Sequence, residues 1–139
     1  MISVIPLCAQ KKKAHGNARN EYVVLASKDL QQDAAWMQVV DALKKKHGAE
    51  VFFYEKAPRE LLGDLQRVKP RYVAIVEKPE HLNRDYVIDL NKMSREVDED
   101  IFADFLWGII TGYDAGAAMK MVNNSTEPLV VKNALATIT

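Results

Sequence analysis

Four short apolar runs with amphipathic stretches between them constrain this sequence more than any other feature. Tyr22-Val23-Val24-Leu25-Ala26, Val51-Phe52-Phe53-Tyr54, Tyr72-Val73-Ala74-Ile75-Val76 and Phe105-Leu106-Trp107-Gly108-Ile109-Ile110 are rich in β-branched and aromatic residues and do not alternate with polar ones. Such runs read as strands buried on both faces, the pattern of a parallel sheet. Between them, apolar residues recur at the spacings of a helix with one buried stripe. The first helix uses Trp36, Val39, Val40 and Leu43, with Asp29 or Asp33 available as its cap. Lys44, Lys45 and Lys46 complement its dipole before Gly48 stops it. The second begins at Pro58, buries Leu61, Leu62, Leu65 and Val68, and ends at Lys69, because Pro70 disfavours helical geometry in the residue before it. Tyr86, Leu90, Met93 and Val97 mark a third, running into Asp98-Glu99-Asp100. Ala117, Ala118, Met121 and Val122 mark a fourth, after the turn Thr111-Gly112-Tyr113-Asp114. Alternating strands and helices connect by right-handed crossovers. The expected fold is therefore α/β, a three-layer sandwich with a mostly parallel sheet of about four strands and helices on both faces.

The 139 residues suffice for one domain. Residues 1–9 are almost wholly apolar and end in small residues at Cys8 and Ala9, as the tail of a secretory signal peptide does, although the positive n-region is missing; read so, the chain is expected to be exported from a bacterium, to the periplasm or beyond, and the alternative is an edge strand or a disordered tail. Residues 10–21 read as a polar linker that includes His15, and residues 22–139 as a single α/β domain, truncated relative to a full enzyme.

Nineteen basic and nineteen acidic residues give zero formal charge, which supplies no field for nucleic acid or an anionic membrane. No run approaches the roughly 18 apolar residues of a membrane span, and one cysteine excludes an internal disulfide or a multi-thiolate zinc site.

Candidate chemistry is sparse. Asp98, Glu99, Asp100 and Asp104 form an acidic cluster, and Asp98, Asp100 and Asp104 are candidate ligands for a hard cation such as calcium, although the spacing is not that of an EF-hand. Gly108, Gly112 and Gly116 lack the spacing of a phosphate-cradling loop; Gly112 is expected to permit the strand-to-helix turn and Gly116 close helix packing. A Cys8–His81 dyad lacks a third, orienting group, which leaves His81 as a capping or surface residue near a helix start. His47, beside Gly48, is expected to serve the dipole of the first helix. Ser27, Ser94 and Ser125 have no nucleophile-elbow context, and the aromatic residues fall on core positions. No catalytic residue and no organic cofactor are therefore assigned.

Three stretches carry a family likeness: Val68-Lys69-Pro70-Arg71-Tyr72-Val73-Ala74, Glu77-Lys78-Pro79-Glu80-His81-Leu82, and residues 104–118, in which an Asp, an apolar strand, a glycine, a Thr-containing turn and an Ala-rich helix follow one another. Together they resemble the first half of gingipain-like cysteine peptidases of the caspase-type fold, over roughly residues 20–123. Gly108 matches the family glycine, but Ile109 stands where that family usually has Arg. The family's catalytic His and Cys lie downstream of this turn, and no His or Cys follows His81 here. The resemblance thus implies a non-catalytic fragment or degenerate relative, with an open sheet edge that self-associates or pairs with further strands. The alternative is a small flavodoxin-like or receiver-like binding domain that works through loops near Ser27, Glu55, Glu77 and Thr111.

Overall fold

The computed structural model describes residues 21–124. The elements are β1 (Tyr22–Ser27), α1 (Ala34–His47), β2 (Glu50–Tyr54), α2 (Leu62–Val68), β3 (Tyr72–Val76), α3 (Arg84–Met93), β4 (Leu106–Ile110) and α4 (Ala115–Asn123). Short 3-10 turns at Lys28–Gln32, Pro58–Leu61 and Pro79–His81 lead into the first three helices. The proposed signal remnant with Cys8, the linker with His15 and the tail from Glu127 lie outside the described residues.

All strand pairs are parallel, in the order β2-β1-β3-β4. This is the doubly wound arrangement, in which the chain adds β2 on one side of β1 and then reverses to add β3 and β4 on the other. Successive residues of β1 therefore feed opposite layers. Val24 and Ala26 pack with Trp36, Val39, Val40 and Leu43 of α1 and with Ala115, Ala118 and Val122 of α4. Val23 and Leu25 pack with Leu65 of α2 and with Leu90 and Met93 of α3. The molecule is thus a three-layer α/β sandwich around a four-stranded parallel sheet. No helix among the described residues is long and apolar enough to cross a membrane.

The helix ends follow their local chemistry. Asp33 caps α1 by accepting from the amides of Ala35 and Trp36, and Gly48 ends it in the left-handed region at φ 61°. Lys69 ends α2 in the left-handed region at φ 49°, its amide donating to the Leu65 carbonyl at 2.7 Å.

Three expectations shift in detail. Pro58–Leu61 is a 3-10 turn because the Glu60 carboxylate reaches back to the amides of Glu55, Lys56 and Ala57 and tightens it. The third helix stops at Met93, and Val97 is buried in the following loop, where its amide donates to Asp104 Oδ2 at 3.0 Å. In α4 the buried stripe is Ala115, Ala118 and Val122, and Met121 points outward.

Gly112 is required for close approach, since a Cβ there would lie 2.7 Å from Ala117 Cβ and 2.9 Å from Ala118 N. A Cβ at Gly116 would meet the Asp114 carboxylate at 3.2 Å, at the start of its own helix rather than on another element. His47 has a partner beyond the helix end, stacking on Tyr22 with ring centroids 4.0 Å apart. Burial of its ring, and then Lys46, hold its pKa below the ordinary 6.5.

Candidate functional site

Open α/β sheets bind ligands outside the carboxyl ends of their strands, at the point where the strand order reverses. Here that point lies between β1 and β3, and the polar residues that follow the two strands meet there. Ser27, Tyr54 and Glu77 fall on the same side of the sheet, with Ser27 paired to Tyr54 in the β1–β2 register. The strand order carries the Tyr54 hydroxyl across β1 to Glu77, where it donates to Oε2 at 2.6 Å.

Glu77 is 2% exposed, and three donors satisfy it: the Tyr54 hydroxyl on Oε2, and the Lys78 amide at 2.8 Å and His81 Nδ1 at 2.9 Å on Oε1. A carboxylate only accepts, so the bond places a proton on His81 Nδ1. In the neutral ring the lone pair is then on Nε2, and the side chain is 43% exposed. The same bookkeeping fixes the tyrosines. Tyr54 spends its hydrogen on Glu77, so the Tyr86 hydroxyl donates to the Tyr54 oxygen, 2.7 Å away. Burial, followed by Tyr86 and Glu77, pushes the Tyr54 hydroxyl far above the ordinary tyrosine range, and burial pushes Tyr86 up as well.

On the α1/α4 side of the same sheet end, a crevice of about 310 Å³ is lined by Asp33, Trp36, Lys78, Glu80, Tyr113 and Asp114 among others. Lys78 Nζ lies 3.4 Å from Asp33 Oδ2 and ties the β3–α3 loop to the start of α1. Asp33 and Asp114 cap the helices whose first turns open onto the crevice. Those amides are therefore already engaged by carboxylates, and the site is not arranged to take a phosphate.

The markers expected of a binding domain have distinct roles here. Ser27 Oγ accepts from the Asp29 amide at 3.3 Å, and Glu55 is ion-paired with Lys28 at 2.6 Å. Thr111 Oγ1 is buried without a partner among the described residues.

The orienting carboxylate for His81 escaped the sequence reading, although the signal was present. Glu77 is an acidic residue directly after a buried strand, four positions before His81 across a Pro79 turn.

Asp98, Asp100 and Asp104 do come together, with one carboxylate oxygen of each within 4.8 Å of the others. They sit at the opposite, amino end of the sheet, beside a second crevice of about 310 Å³ that Lys69 and Arg71 also line. Burial and the neighbouring Asp98 hold the Asp104 carboxyl above its ordinary value. Cation ligation at this end and proton chemistry at the other would be separate sites.

No family model matches the chain, and neither a curated protein nor a solved structure matches it.

Proposed function

We propose that the domain binds a small ligand in the crevice between the β1–α1 and β3–α3 loops, and that His81, next in the chain to the crevice-lining Glu80, offers Nε2 to that ligand as an acceptor of a hydrogen bond or a proton. The supporting observation is the 2.9 Å bond from His81 Nδ1 to a Glu77 that is 2% exposed. Burying a carboxylate costs several kcal/mol, and apolar replacement of buried charges is often neutral or stabilising. Packing alone thus gives no reason for Glu77, whereas orienting an imidazole does, as carboxylate–histidine pairs at metal and proton-transfer sites illustrate. Asp33, Glu80 and Asp114 against Lys78 give the crevice three formal negative charges and one positive, a net of −2. That balance favours an amine or another donor-rich group over a phosphate.

Two-dimensional NMR on the full-length chain tests the proposal. The His81 ring is expected in the Nδ1–H tautomer, and a mixture of small amines, amides and carboxylates is expected to shift Lys78, Glu80, His81 and Asp114, with amines preferred. An Nε2–H tautomer, or shifts confined to other surfaces, would overturn it.

The gingipain-like relative is the second reading, and the outer edge of β4, which pairs with no other strand among the described residues, supports it, since further strands would continue such a sheet. On that reading His81 is structural, and its substitution changes stability without changing ligand binding.

A further inference from the structure

We infer that the ligand of the crevice is a small molecule carrying a methylated ammonium group and a hydroxyl. This class rests on the reading of the crevice as a ligand site and narrows the amine favoured there.

Two aromatic residues, Trp36 and Tyr113, line the crevice together with its charges. Trp36 is 5% exposed and packs in the core with α4, so it is a fixed apolar wall. Tyr113 is the opposite case. It is fully exposed on the turn before α4, where no packing within the described residues accounts for an aromatic side chain. A cation over an aromatic face is attracted by the ring, most strongly where water is displaced, and quaternary ammonium groups are recognised in this way.

The carboxylates supply charge but few free acceptors. Asp33 caps α1 with Oδ1 and pairs with Lys78 through Oδ2. Asp114 caps α4 with Oδ1, which leaves one oxygen. Of the three, only Glu80 keeps both oxygens unengaged among the described residues. A primary ammonium brings three N–H donors, each of which costs free energy if it leaves water without an acceptor. A methylated ammonium keeps the charge, has fewer donors or none, and presents methyl groups to the two rings. The net negative crevice with an aromatic lining therefore fits it better. The donor for His81 Nε2 then sits elsewhere on the ligand, and a hydroxyl supplies it. A phosphate ester at that position would bring negative charge to a crevice already negative, which favours a free molecule over a phospholipid headgroup.

NMR titration of the full-length chain with choline, ethanolamine and the neutral tert-butyl analogue of choline tests the assignment. All three carry the hydroxyl; they differ in the methylated cation, the primary cation and the uncharged group at the other end. Choline is expected to shift the Trp36 indole together with Lys78, Glu80 and Asp114, and to bind on the order of tenfold more tightly than either of the others. Tyr113→Ala, at an exposed position, is expected to weaken choline binding about fivefold, and Tyr113→Phe to leave it unchanged. Ethanolamine or the neutral analogue binding at these residues as tightly as choline overturns the methylated class and leaves the crevice a ligand site. Choline binding that ignores Tyr113→Ala overturns it too. Phosphatidylcholine vesicles are expected not to compete with choline, and competition by them overturns the assignment to a free molecule. Absence of shifts at all of these residues with all three compounds overturns both the class and the ligand site on which it rests.

Discussion

Replacing Tyr54 with Phe removes one oxygen from the middle of the buried network and leaves the aromatic ring in place. The lost bond is a 2.6 Å donation to the Glu77 carboxylate, and hydrogen bonds to charged groups contribute about 1.5–3 kcal/mol. Glu77 Oε2 would then be buried without its donor, which sets the cost toward the middle of that range. The Tyr86 hydroxyl loses its acceptor too, but that side chain is only half-buried and water replaces the partner at little cost. Tyr54→Phe is therefore expected to cost about 2 kcal/mol, or roughly 8 °C in Tm for a chain of this length. Tyr86→Phe, which leaves the Glu77 bond intact, is expected to cost less than half as much. Differential scanning calorimetry at neutral pH measures both.

The pH dependence adds a second check. The Tyr54 pKa is raised in the fold, so the native state holds this proton more tightly than the unfolded chain does. The increment is fully present below the ordinary tyrosine value of 10.0 and is lost as pH rises above it, and Tyr54→Phe removes that alkaline loss. The His81 tautomer is expected to survive Tyr54→Phe, because Nδ1 bonds Oε1 and the tyrosine bonds Oε2, and to be lost in Glu77→Ala. A Tm change of less than roughly 2 °C for Tyr54→Phe, or a larger one for Tyr86→Phe, would refute the assignment of the Tyr54–Glu77 bond as the one that holds this network.

Gly112→Ala drives a methyl into the first turn of α4 and is expected to cost about 1–3 kcal/mol, measured by urea denaturation; an unchanged midpoint would refute the contact. His47 has a lowered pKa, from burial of its ring and then Lys46, so the native state holds its proton less tightly; this stability is present above 6.5 and is lost as pH falls below it. His47→Phe keeps the stack without titrating and is expected to flatten that acid limb in thermal melts. Calcium is expected to raise Tm through Asp98, Asp100 and Asp104, by about 2.7 kcal/mol of stability at a hundredfold excess over Kd, and Asp100→Asn to abolish the effect. An unchanged midpoint in millimolar calcium would remove the trio from consideration as a cation site.

How much of this was legible in the sequence depends on the range of the interactions. The strands were readable because Val23, Leu25, Val73 and Ile75 face one layer while Val24, Ala26, Ala74 and Val76 face the other, which leaves apolar runs without alternation. The acidic trio was readable because its members lie within seven residues of one another. The Tyr54–Glu77 bond was not readable, since it joins β2 to β3 across β1, and only the strand order brings them together. Tyr54 read as one more core aromatic, because a buried hydroxyl and a buried ring edge look alike until the acceptor is known. The end of the third helix was missed for a similar reason. Val97 keeps the helical spacing, but its amide is claimed by Asp104 from beyond the loop.

The central place of β1 has a consequence for how the protein is made. Both neighbours of β1 lie later in the chain, and its second face of hydrogen bonds is completed only by Tyr72–Val76. A ribosome working at about 5–20 residues per second takes roughly 2–10 s to go from Ser27 to Val76. For that interval the most deeply buried strand of the sheet has at most one partner. The nascent chain thus presents Val23, Val24, Leu25 and Ala26 to solvent before it can fold, and this is the window in which a holding chaperone would engage it.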